Sequence, residues 1–74
     1  MPTIGMTLTL SGKSNKGKNR INEHGGQWTI KKLQRNVSFD TRNGDWALVH
    51  NEGESYGMWI LLGQDNDFRI EHVG

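Results

Sequence analysis

No cysteine occurs among the 74 residues, so neither a disulfide nor a thiolate metal site reinforces the fold. A reducing interior, cellular or viral, is the expected setting. One proline, Pro2, leaves the chain almost without rigid kinks. The longest apolar run, Met58-Trp59-Ile60-Leu61-Leu62, falls far short of the about 20 residues a spanning helix requires, which excludes a membrane partner of that kind. Met1-Pro2-Thr3-Ile4-Gly5 has no charged n-region and no apolar h-region, so no signal peptide is expected and the default location is cytoplasmic. Missing too is any long i, i+3, i+4, i+7 apolar stripe, so no stable helix is expected. A domain this short buries only about 60% of its unfolded surface and has a thin core.

Catalytic patterns are also absent. Gly12-Lys13-Ser14 resembles the end of a phosphate-binding loop, but that loop requires glycine where Thr7 stands and a helix directly after it. His24, His50 and His72 share no metal-ligand spacing, and each lies beside a loop or strand end. Asp65-Asn66-Asp67 lacks the glycine and the distal glutamate of a calcium loop, and turn chemistry accounts for it better. Asn36-Val37-Ser38 matches a glycosylation acceptor but needs a secretory route. No catalytic residue, metal or cofactor is assigned, and the chain is expected not to be an enzyme.

What the sequence does contain is a period of two. Ile4, Met6, Leu8 and Leu10 alternate with small or polar residues, as in a half-buried strand over 3–10. Strands are also expected at about 27–34, over 56–62 and from Phe68, with a short one beginning near Arg20. Ten glycines and the turn signals at His24-Gly25-Gly26 and at 51–55 separate them. Asn43-Gly44 predicts a two-residue hairpin turn that pairs Arg42 with Asp45, Thr41 with Trp46 and Phe39 with Leu48. That register places Val37, Phe39, Trp46 and Leu48 on one face, with Phe39, Trp46, Leu48 and Ile60 in the core. The expected fold is all-β: one domain over 1–74, a small antiparallel SH3-like barrel of five to six short strands. An OB-like barrel is the alternative.

Charge is unevenly placed. Residues 1–37 hold seven cations against Glu23, a net +6, whereas residues 38–74 hold Arg42 and Arg69 against seven carboxylates, a net −5. Lys13, Lys16, Lys18 and Arg20 fall within a polar stretch, 11–20, read as a flexible loop, and Lys31 and Lys32 extend the cationic set. With Met58, Ile60 and Leu62 facing the core, Trp59 and Leu61 face outward, and an outward tryptophan is a contact or stacking residue. These residues together predict a non-catalytic binding module. Its partner is expected to be a protein, or a second copy held by the oppositely charged halves. The alternative is nucleic acid, held by the 13–20 cations with Trp59 or Trp28 stacking on bases.

Overall fold

A computed structural model describes residues 2–39 and 42–74, with 37–39, 42 and 43 described by backbone alone. The elements in order are β1 (Thr7–Gly12), α1 (Asn15–His24), β2 (Gln27–Phe39), β3 (Arg42–Asn51), β4 (Gly57–Leu61) and β5 (Phe68–Val73). The strands form one antiparallel sheet in the order β4-β3-β2-β1-β5. The chain is thus mostly β, as its period predicts. The sheet ends at β4 on one side and β5 on the other, and the two edges are not joined.

Alternation along each strand builds the core. Leu8, Leu10, Trp28, Ile30, Ala47, Val49, Ile60 and Phe68 form one buried cluster, with Ile21, Tyr56, Met58 and Leu62 packed against it. Trp28 is fully buried and donates its indole N–H to the Gly25 carbonyl at 3.0 Å, satisfying its one polar atom. The register pairs Trp46 with Leu61 and Leu48 with Trp59 on the opposite face. Trp46 and Leu61 are nevertheless buried, so this sheet is apolar on part of both faces.

The basic segment read as a loop is instead the end of β1 and the helix α1. Ser14 caps it, its hydroxyl accepting the Gly17 N–H at 3.0 Å, and Gly25 ends it by donating to the Ile21 carbonyl. Its inward positions are Ser14, Gly17, Ile21 and His24, while Asn15, Lys16, Lys18, Asn19, Asn22 and Glu23 are exposed. The helical period is present, but only one of its four inward residues is large and apolar. An apolar stripe therefore could not reveal it, and no strand begins at Arg20. At the N-terminus, Thr3–Gly5 turns and leaves Ile4 exposed, so β1 starts at Thr7 rather than at residue 3.

The hairpin also departs from its expected register. Asn43 and Gly44 lie inside β3 and pair with Ser38 and Val37, and Arg42 pairs with Phe39. Trp46 pairs with Gln34 and Leu48 with Lys32. A bulge between Gln34 and Val37, where Asn36 takes φ 54° and donates its N–H to Asp45 Oδ1 at 2.8 Å, then shifts the ladder by one more residue. Gly44 serves packing instead of a turn: a Cβ there would stand 2.8 Å from Leu61 Cδ1. Of the four residues expected in the core, Trp46 and Ile60 are buried and Leu48 is half-buried. The side chains of Val37 and Phe39, and all of Thr41, lie outside the described residues.

Helix α1 is joined to the loop between β4 and β5. Ser14 Oγ donates to Asp67 Oδ1 at 2.6 Å, and the Lys13 N–H donates to the Asp67 carbonyl at 2.7 Å. Gly17 permits this approach, because a Cβ on it would lie 1.9 Å from the Asp67 carbonyl oxygen. Alanine in a helix interior is worth about 1 kcal/mol over glycine, but overpacking against backbone costs about 1 to 3 kcal/mol or more. The clash wins. Gly17→Ala is expected to destabilise the fold by about 1 to 2 kcal/mol in urea denaturation; stabilisation would show that the helix does not dock here.

Candidate functional site

Asp65 builds the wall that the helix meets. Its carboxylate is 7% exposed and accepts three backbone N–H groups: Leu61 on Oδ2 at 2.9 Å, and Asp67 and Phe68 on Oδ1 at 2.8 and 3.2 Å. The Asp65 carbonyl in turn accepts Lys13 Nζ at 2.8 Å. This is the turn chemistry its sequence promised, now holding the end of β4, the start of β5 and Lys13, the residue before the α1 cap, together.

Between α1 and the free edge of β4 lies a cleft of about 170 Å³. Lys16 and Arg20 line it from the helix, Met58 and Trp59 from β4, and Asp65, Asp67 and Phe68 from the far loop and β5. Tyr56 completes it. The β3–β4 turn fixes that ring: Asn51 Oδ1 accepts the Tyr56 N–H at 3.0 Å, and the Asn51 N–H donates to the Tyr56 carbonyl at 3.1 Å. His24 stacks on Tyr56 with centroids 4.3 Å apart, Trp28 meets it edge-on, and the Arg20 guanidinium carbon lies 5.6 Å from its centroid.

Three residues singled out from sequence therefore meet here: Lys16, Arg20 and Trp59. The others do not join them. Lys13 is tethered to the Asp65 carbonyl, and Lys18 is exposed on α1 away from the cleft lining. Lys31 pairs with Glu54. Lys32 is exposed on β2, on the sheet face that carries Leu48 and Trp59. Trp28 is sealed in the core and offers no ring for stacking. Tyr56, Met58 and Phe68 escaped sequence reasoning as site residues because the period of two assigns Met58 to the core, Phe68 reads as the start of a strand, and Tyr56 stands alone before β4.

The +6 and −5 halves do not separate in space. Strand β5 pairs with β1 and β3 with β2, which sets Lys31 on Glu54 and Ser11 Oγ on Glu71 at 2.6 Å. The cleft itself mixes two cations with two carboxylates. Among the described residues, no group of three or more histidines and carboxylates is placed to hold a metal ion. No described helix is long and apolar enough to cross a membrane.

One feature of α1 opposes its own stability. Its first turn carries Lys16 and Lys18 and no acid, although the N-terminal end of the helix dipole disfavours cations by about 0.3 to 1 kcal/mol each. Folding alone would choose otherwise. Comparison with protein-family models, with curated proteins and with solved structures finds no match for this chain.

The Lys31–Glu54 pair gives a pH signature away from the cleft. The hydrogen bond from Lys31, then its charge, hold the Glu54 carboxyl below its ordinary range. A depressed carboxyl stabilises the fold above its unfolded pKa, and that contribution is lost as pH falls through the folded value. Lys31→Gln is expected to return the Glu54 titration, followed by NMR, upward toward the ordinary glutamate value. An unmoved titration would mean that the pair does not persist in solution.

Proposed function

We propose that this chain is a non-catalytic, cytoplasmic binding module that takes a segment of a partner protein in the cleft between α1 and β4. The convergence of Lys16, Arg20 and Trp59 with Tyr56, Met58 and Phe68 carries this reading. Aromatic and arginine side chains gathered around a recess are the residue types that dominate protein-binding energetics. The strand order, a β2–β3–β4 meander with β1 between β2 and β5, supports reading the sheet as an SH3-like barrel opened at one seam, with α1 beside the opening.

Protein is favoured over nucleic acid on the placement of charge. A phosphate backbone requires a row of available cations. Here Lys13 and Lys31 have intramolecular partners, and two carboxylates stand in the cleft wall. Self-association through opposite poles is disfavoured because the two charged halves interleave.

Selection of a random displayed-peptide library against the folded chain tests this reading. The wild type is expected to enrich a consensus, and Lys16→Trp, which sets a ring at the mouth of the cleft from an exposed helix position, is expected to lose it at least tenfold. Failure to enrich any consensus would overturn it. So would salt-sensitive retention of the chain on single-stranded DNA or RNA with a log–log slope of about −0.7 per phosphate contact.

A further inference from the structure

Hydrogen-bond accounting in the cleft is lopsided. Three of the four carboxylate oxygens are already used by the fold: both Asp65 oxygens take backbone N–H groups, and Asp67 Oδ1 takes the Ser14 hydroxyl. The donors are not. Among the described residues no carboxylate lies within ion-pair reach of Lys16, which is exposed. Arg20 has a single ion pair, Glu23 at 3.6 Å, longer than the about 2.7 to 2.9 Å of a charge-assisted hydrogen bond. A guanidinium carries five N–H donors, so one ion pair leaves most of its capacity open. Beside these donors stand the Tyr56 ring, the Met58 thioether and the Phe68 ring.

From this imbalance we infer that the cleft selects an acidic segment of a partner protein: a glutamate or aspartate side chain on Lys16 and Arg20, next to an apolar side chain packed on Tyr56, Met58 and Phe68. The inference rests on the protein-binding reading and names the chemistry of its partner. A carboxylate supplies the acceptors the site lacks, and the volume of about 170 Å³ suits one large side chain. Lys16 and Arg20 line the cleft from α1, and Asp65 and Asp67 from the loop opposite. A single carboxylate can thus meet the cations alone, whereas a chain of phosphates carries its charge past both.

Three capped, fluorescein-labelled pentapeptides, Gly-Glu-Phe-Glu-Gly and its Gln and Lys counterparts, provide the test by fluorescence anisotropy at low salt. The Glu peptide is expected to bind about tenfold more tightly than the Gln peptide, as two exposed charge pairs allow. Lys16→Glu is expected to invert the order so that the Lys peptide binds best. That substitution adds an acid to the first turn of α1, where the helix dipole favours it, so the fold is retained and far-UV circular dichroism checks it. Equal binding of the Glu and Gln peptides, or an order unchanged by Lys16→Glu, overturns the inference and leaves a binding cleft of other specificity. No peptide binding from a chain that still enriches displayed peptides has the same meaning. Tighter binding of an eight-nucleotide oligothymidine than of any peptide overturns both this inference and the protein-binding reading.

Discussion

A single buried carboxylate organises the end of the molecule where α1, β4 and β5 meet. Asp65 is separated from solvent yet ionisable, and burying a charge without partners is costly enough that every oxygen must be engaged. Three backbone N–H groups engage them, and those groups belong to the last residue of β4, the adjoining loop and the first residue of β5. The turn that results presents the Asp67 carbonyl and carboxylate to Lys13, Ser14 and Gly17. Helix α1 therefore sits where it does because Asp65 shapes the surface on which it docks. The cleft inherits its wall from the same turn.

The β character of the chain was legible because burial on one face imposes a period of two, clearest at Leu8 and Leu10 of β1. The bounds of β4 and β5 match the expected strands closely, although β4 buries Ile60 and Leu61 alike. Helix α1 was not legible because its inward residues are a serine, a glycine, an isoleucine and a histidine. Each is chosen for a specific contact instead of for hydrophobicity. The Asn43-Gly44 turn failed for a different reason. Asn43 and Gly44 are taken into the β2–β3 ladder opposite Ser38 and Val37, and the side chain packed over Gly44 comes from another strand. The site was half legible. Cations and an outward tryptophan are visible as residue types, but their meeting with Tyr56, Met58 and Phe68 depends on the Asp65 turn, which links residues far apart in sequence.

An open sheet has two edges that invite unwanted pairing, and both are blunted here. At β4 the Leu61 N–H is already taken by Asp65, and the helix stands alongside. At β5 the register slips between the pairs Thr9–His72 and Leu10–Ile70, leaving Glu71 as an extra residue, and charged Arg69 flanks it.

The contacts that seat α1 span 52 and 53 residues of sequence, from Lys13 and Ser14 to Asp65 and Asp67. A ten-residue helix with a cationic first turn is too short to persist alone in water, where about 12 to 15 residues are the lower limit. During synthesis it must therefore wait until Asp65 and Asp67 have emerged before it gains a surface to lie on. The cleft consequently assembles only after its far wall is made, and a nascent or truncated chain lacking residues beyond Leu62 has strands to pair but no cleft.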